Sequence, residues 1–292
     1  MFRIHTVIII NILLIINFLI IFDWFSCVNV FYHVLYPNVP TYITGREENN
    51  LPFDKNKKSI ITIGDSFTFG YSIGQEDTLS YKLQKSTNRK TYNKGYSGTG
   101  IQHVLYQLDK SNFFNSNGIE PEYIIYTFIG DHMRRMYVDY LAYNSNCKNL
   151  RYVVKDNKLT LLPLDVNFMD KIKVTILGKK FNNLLFSLKN NDEKFDLFKK
   201  HVLKCKEIIN KKYSNTKFVI IVYNPNIDTH NHKPYYTNRW HELQKEGIIV
   251  IRFDEKEYNY LTTKNYIADD GYHPSGKAWD SLLPLIIKKL NL

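Results

Sequence analysis

Two short segments near opposite ends of the chain carry side chains that could act together on an ester. Gly64-Asp65-Ser66-Phe67 places a serine directly after an apolar run, and Asp270-Gly271-Tyr272-His273 places a carboxylate and an imidazole three positions apart. A serine hydroxyl is a weak nucleophile until an imidazole accepts its proton, and the imidazole needs a carboxylate to fix its tautomer. Ser66, His273 and Asp270 are therefore candidates for nucleophile, general base and orienting acid in acyl transfer.

Each of these residues also has an ordinary structural interpretation when it is considered alone. Ser66 could cap a helix that follows a strand, and His273 could be a surface histidine before Pro274. The presence of both segments in one chain favours the catalytic interpretation. On the residues alone, Asp269 competes with Asp270 for the orienting role.

Gly-Asp-Ser near the start of a domain, with Asp-x-x-His near its end, resembles the SGNH/GDSL hydrolase superfamily. Residues 93–98, Asn-Lys-Gly-Tyr-Ser-Gly, are similar to the second block of that family. The resemblance covers roughly residues 59–290. It implies that the backbone N–H of Gly98, with that of Ser66, binds the oxyanion, and that Asp270 rather than Asp269 orients His273. We expect neither a cofactor nor a metal.

The third block departs from the family pattern. Gly130-Asp131-His132 stands where Gly-x-Asn-Asp is usual, and the alignment that best preserves the preceding strand puts Asp131 at the oxyanion-hole asparagine. An ionised aspartate repels an oxyanion, so Asp131 must be protonated or turned away, or His132 must donate instead. The other interpretation is a structural ion pair of Asp131 with Arg134 or Arg135.

Apolar runs that alternate with helical patterns predict an α/β fold with a parallel sheet of about five strands. The resemblance implies that this fold is a three-layer α/β/α sandwich of SGNH type. Strands are expected at residues 59–64, 89–93, 123–129, 217–223 and 248–253. An insertion at residues 138–190 interrupts the alternation, and within it Arg151–Val154 and Leu159–Leu162 predict a hairpin. The insertion could form a lid or substrate wall, or simply a decorated loop.

The amino terminus predicts a membrane anchor. Residues 7–22 are apolar apart from Asn11 and Asn17, and Arg3 precedes them. A helix over residues 6–25 would be long enough to cross a bilayer, and the basic front end favours a domain on the outside. The predicted organisation is an anchor at residues 1–25, a connector at 26–58 and a hydrolase domain at 59–292. A cleaved signal peptide, giving a secreted protein, is the alternative.

The charge does not indicate a nucleic-acid partner. The 292 residues carry a formal charge of +11, but the lysines are spread along the chain and accompany no recognition motif. The sequence thus predicts a membrane-anchored, serine-dependent acyl-ester hydrolase or O-acyltransferase, acting on an acylated envelope glycan or lipid. The alternative is an inactive glycan- or partner-binding module on the same fold. Nothing in the sequence predicts an oligomeric state.

Overall fold

The computed structural model describes Arg46 and residues 49–110, 120–136, 152–155, 158–161, 184, 186–223 and 239–292. The predicted anchor, the first part of the predicted connector and most of the predicted insertion lie outside these residues. Within the described ranges, no helix is long and apolar enough to span a membrane.

Five parallel strands form the central sheet, as the sequence predicts. They are β1 (Ser59–Gly64), β2 (Thr91–Gly95), β3 (Pro121–Phe128), β6 (Lys217–Val222) and β7 (Ile249–Arg252), in the order β2-β1-β3-β6-β7. The predicted hairpin is confirmed as the antiparallel pair β4 (Tyr152–Lys155) and β5 (Lys158–Leu161). The inner strands β3 and β6 are nearly continuous buried runs, because helices cover both faces of a parallel sheet.

Helices follow the strands along the chain. They are α1 (Ser66–Phe69), α2 (Leu79–Thr87), α3 (Ile101–Lys110), α4 (Asp131–Arg135), α5 (Asn191–Lys212), α6 (Trp240–Lys245) and α7 (Gly276–Leu290), with 3-10 turns at Gln75–Asp77, Lys256–Thr262 and Lys264–Tyr266.

Two separate hydrophobic cores establish the three layers. Successive side chains of a strand point to opposite faces. Ile61 accordingly belongs to the core that includes residues of α3, α5 and α6, and its neighbour Ile60 belongs to the core that includes residues of α2 and α7. The sheet is therefore the middle layer between helices on either side.

The strand order places a crevice beside β1. The chain runs outward from β1 to β2 and then crosses back to β3 on the other side of β1. In open parallel sheets, ligands bind beyond the carboxyl ends of the strands at such a reversal of order. The residues that follow Gly64, Gly95 and Phe128 therefore meet at one edge of the sheet.

Candidate active site

Ser66 is held by a tight turn between β1 and α1. Gly64 has φ +152, and a Cβ at this position would lie 2.4 Å from Thr68 Oγ1, so both backbone and space require glycine. Asp65 then caps α1, because its Oδ1 accepts the N–H of Phe67 at 3.0 Å. Ser66 becomes the first residue of the helix, with only 6% of its surface exposed.

The short helix α1 is held in place by residues to which the sequence analysis assigned no role. Asn93 of β2 donates to the carbonyls of Thr68 and Phe69 at 3.0 and 3.3 Å. Gly95 lets the helix approach β2, since a Cβ there would lie 2.3 Å from Phe69 N. Arg46, from the predicted connector, donates to the carbonyl of Phe69 and to two carbonyls that follow it. The signals available in the sequence were the asparagine and the glycine of the segment 93–98, Asn93 and Gly95.

The structure brings Ser66, His273 and Asp270 together in one line of hydrogen bonds. Ser66 Oγ lies 2.8 Å from His273 Nε2. His273 Nδ1 lies 2.6 Å from Asp270 Oδ2. With the imidazole proton on Nδ1, that N–H donates to the carboxylate, and Nε2 is the acceptor for the serine hydroxyl. This is the arrangement that a serine nucleophile requires.

A closed loop before α7 presents the aspartate and the histidine. Ile267 pairs with Pro274 in an antiparallel bridge, and the N–H of Ala268 donates to the carbonyl of His273 at 2.7 Å. Gly271 turns the chain inside this loop with φ +74, a conformation that favours glycine. These backbone contacts within the loop hold Asp270 and His273 close together.

Asp270 is kept ionised by its hydrogen bonds. Partial burial by itself would raise the pKa of Asp270, but hydrogen bonds from the backbone N–H groups of His273 and Tyr272 and from the Ser72 hydroxyl outweigh it and lower the pKa to about 2. The two backbone N–H groups lie 2.9 Å from Asp270 Oδ1. Asp269 is exposed, whereas Asp270 contacts the imidazole directly.

Three aromatic rings surround the imidazole of His273. The ring centroids of Phe67, Tyr71 and Tyr272 lie 5.0, 5.2 and 5.1 Å from that of His273. Phe67 is buried, while Tyr71 is 50% exposed and Tyr272 is 36% exposed. The two tyrosines therefore form an accessible apolar rim at the histidine.

Gly98 lies in the turn after β2 with φ +81. A Cβ added to it would meet nothing within 4 Å, so its conformation rather than crowding requires glycine. Among the residues that the structure describes, neither the N–H of Gly98 nor that of Ser66 donates to a protein acceptor. Both amides are therefore available to an incoming oxyanion.

Asp131 is an ionised partner of two arginines, not a protonated donor. Its Oδ1 accepts from Arg134 Nε at 2.6 Å, and its Oδ2 accepts from Arg135 Nε at 2.7 Å. Burial opposes ionisation, but the two guanidinium groups outweigh it and hold the pKa of Asp131 well below its usual range. Asp131 therefore forms the ion pair with Arg134 and Arg135 that the sequence analysis gave as the other interpretation.

His132, the other residue considered as a third donor, is enclosed by protein groups. Its ring is completely buried, with Nδ1 2.5 Å from the hydroxyl of Tyr126 and Nε2 3.0 Å from Asp65 Oδ2. Burial lowers the pKa of His132 despite the neighbouring Asp65 carboxylate. Both ring nitrogens thus face protein groups behind the nucleophile turn.

Replacing Asp131 by asparagine should lower the melting temperature by roughly 6 to 12 °C, because one partner of a mostly buried ion pair is removed. The folded-state pKa of Asp131 lies below the unfolded value. The stabilisation is therefore complete above the ordinary aspartate pKa, about 4, and is lost as the pH falls below it. Asp131→Asn should flatten the acid dependence of stability between about pH 5 and 2. Thermal unfolding at several pH values measures this, and identical pH profiles for both proteins would contradict it.

Fold and site together define a parallel α/β domain with a Ser-His-Asp arrangement at the carboxyl edge of its sheet. No family model matches the sequence. No curated protein matches it either. Solved structures that resemble the chain include lipolytic proteins of the G-D-S-L family and carbohydrate esterases.

Three of these structures illustrate the level of similarity. A member of the lipolytic protein G-D-S-L family from Veillonella parvula is 12% identical, with 80% of this chain and 97% of that one covered and a TM-score of 0.47. A family 3 carbohydrate esterase from Clostridium thermocellum is 14% identical, with 79% and 94% covered and a TM-score of 0.44. A catalytic mutant of an acetylxylan esterase from Geobacillus stearothermophilus is 11% identical, with 84% and 97% covered and a TM-score of 0.44. Similarity at this level does not identify an activity, which must come from the site itself.

Proposed function

We propose that the chain is a serine ester hydrolase of SGNH/GDSL type, with Ser66 as nucleophile, His273 as general base and Asp270 as orienting acid. The single observation that carries this proposal is the continuous line from Ser66 Oγ through both nitrogens of His273 to Asp270, with contacts of 2.8 and 2.6 Å. These residues come from opposite ends of the chain, and packing as helix cap and surface residues would not require this alignment.

The proposed reaction has two halves. In the first, Ser66 Oγ attacks the acyl carbonyl while His273 Nε2 takes the hydroxyl proton, and the same proton then passes to the leaving alkoxide as the ester bond breaks. In the second, a water or an alcohol loses its proton to His273 and attacks the acyl-enzyme, and Ser66 recovers its proton. Water gives hydrolysis, and a sugar hydroxyl gives O-acyl transfer.

The amides of Ser66 and Gly98 are the proposed oxyanion donors. Both belong to turns at the carboxyl edge of the sheet, and both are available among the described residues. Each such donor can lower the barrier by about 3 kcal/mol because it points to where negative charge develops in the transition state.

The proposed substrate is an acylated glycan or lipid of the cell envelope. Support comes from the predicted amino-terminal anchor, which would hold the domain outside the membrane, next to such molecules. The exposed rings of Tyr71 and Tyr272 give the substrate an apolar surface beside His273.

Covalent labelling by a fluorophosphonate probe tests the proposed function. The probe phosphonylates a serine only when a base activates it, so the wild type should be labelled and Ser66→Ala should not. Ser86→Ala, which changes an exposed serine of α2, is the matched control and should be labelled like the wild type. A folded wild type that takes no label, but binds an envelope glycan, would favour the inactive binding module.

The proposed anchor has a separate test. Because residues 7–22 are almost entirely apolar, the full chain should stay in the membrane fraction through high-salt and carbonate washes, which remove proteins held by charge alone. A chain that begins after residue 25 should not sediment with membranes. Release by salt would contradict a spanning helix, and a mature amino terminus after residue 22 would replace it by a cleaved signal.

A further inference from the structure

Arg135 is a buried cation that joins three segments at the edge of the sheet. Its Nη1 lies 3.1 Å from Asp65 Oδ2 and 2.5 Å from the carbonyl oxygen of Thr99. Its Nε donates to Asp131 Oδ2 at 2.7 Å. The side chain is only 8% exposed, so little water screens these contacts. Arg135 thus connects the turns that follow β1 and β2 to helix α4, which follows β3.

Both partners of Nη1 are sequence neighbours of the proposed oxyanion donors. Asp65 precedes Ser66, and Thr99 follows Gly98. An oxyanion hole requires each donor to lie about 2.7 to 3.1 Å from the charged oxygen, so the spacing of the two turns is critical. A guanidinium is planar and rigid, and one that bonds both turns fixes that spacing.

The carboxylate of Asp65 is held from its other sides as well. Its Oδ1 accepts the N–H of Phe67, and its Oδ2 lies 3.0 Å from Nε2 of His132. The hydroxyl of Tyr126 lies 2.5 Å from the second nitrogen of His132. Asp65, Tyr126 and His132 are all fully buried. Asp65 and the Ser66 turn are therefore held in place by several contacts, and Arg135 connects the Gly98 turn to them.

A hydroxyl adds a second link between the same turns. Thr99 Oγ1 lies 2.8 Å from the carbonyl oxygen of Gly64. This contact holds the end of the Gly98 turn against the end of β1, while Arg135 bonds the carbonyl oxygen of Thr99. The guanidinium is thus the one charged group that spans Asp65, Thr99 and Asp131 together within the described residues.

We propose that Arg135 is a positioning residue that sets the distance between the Ser66 and Gly98 amides. In this proposal the third block does not supply an amide side chain that touches the oxyanion. It supplies Arg135, held by Asp131, which connects the Ser66 turn to the Gly98 turn. The inference rests on the proposed function of Ser66 and deepens it.

The test compares Arg135→Lys with Arg134→Lys by active-site titration. Both changes keep the positive charge beside Asp131. A lysine at 135 ends in a single nitrogen, which cannot stand at the positions of both Nε, the donor to Asp131, and Nη1, the donor to Asp65 and Thr99. The amount of fluorophosphonate bound at completion counts competent sites, and kcat for a short-chain p-nitrophenyl ester is divided by that count. Arg135→Lys should lower kcat per titrated site by about 100-fold with KM within about threefold, whereas Arg134→Lys should stay within about twofold of wild type.

The outcomes separate positioning from a purely structural role. A structural role would reduce the number of titrated sites and the melting temperature while kcat per site stayed unchanged, and that result would overturn the proposal. If Arg135→Lys does not fold, Asp131→Asn is measured in the same way, with a loss of kcat per site expected and an unchanged value overturning the proposal. A folded wild type that takes no label would instead overturn the proposed function, and this inference with it.

Discussion

Replacing Ser66 by alanine should lower kcat for ester hydrolysis by roughly four to six orders of magnitude. The substitution removes the oxygen that forms the acyl-enzyme, while the residue still follows the Asp65 cap and still begins α1. The fold should therefore survive. Steady-state kinetics on a short-chain p-nitrophenyl ester measure kcat, and thermal unfolding shows whether the fold is retained.

His273→Ala should be about as severe as Ser66→Ala, because nucleophile and base act as a unit. The double variant Ser66→Ala/His273→Ala should have about the same kcat as either single variant. Once one of the two residues is missing, the other no longer contributes to catalysis. Near-normal turnover in a well-folded Ser66→Ala or His273→Ala protein would refute the triad.

Asp270→Asn should lower kcat by about 10⁴-fold with little change in the fold. The carboxylate accepts the Nδ1 proton of His273 at 2.6 Å and two backbone N–H groups at 2.9 Å. An asparagine has one acceptor oxygen and cannot accept from all of them, and its amide can present a proton to Nδ1. That reverses the tautomer, so the nitrogen facing Ser66 is protonated and cannot act as the base.

Asp269→Asn is the matched control for Asp270→Asn, because it makes the same change one position away on an exposed side chain. It should change kcat by less than about threefold. Since the pKa of Asp270 is about 2, its own protonation should not limit activity until the pH approaches that value. If kcat falls more in Asp269→Asn than in Asp270→Asn, Asp269 rather than Asp270 orients His273.

Much of the fold was predictable because parallel strands and their crossover helices leave strong local patterns. Continuous apolar runs such as residues 123–129 can be satisfied only where both faces are covered. The five strands of the sheet and the β4–β5 hairpin were found within a few residues of their predicted positions. The amino-terminal anchor stays a prediction, since residues 1–25 lie outside the described part of the chain.

The candidate site was only partly predictable. Ser66, Asp270 and His273 were identifiable because their residue types and spacing carry a specific chemistry. Gly98 was named from a resemblance, and the structure places it with positive φ in the turn after β2. The donor role considered for Asp131 and His132 stays a prediction. The ion pair of Asp131 with Arg134 and Arg135 could be foreseen because the three residues are close in sequence. The contact of His132 with Asp65 joins distant segments, which no local pattern relates.

The sequence by itself determined the order of strands and helices along the chain and the three residue types that could break an ester. Periodicity and motif chemistry are local properties, so neighbouring residues are enough to express them. Only the tertiary structure decided that residues 207 positions apart lie 2.8 Å from each other. It also decided that Arg135 contacts both Asp65 and Thr99. These contacts depend on strand order, and strand order follows from how the helices cover the sheet rather than from any single segment.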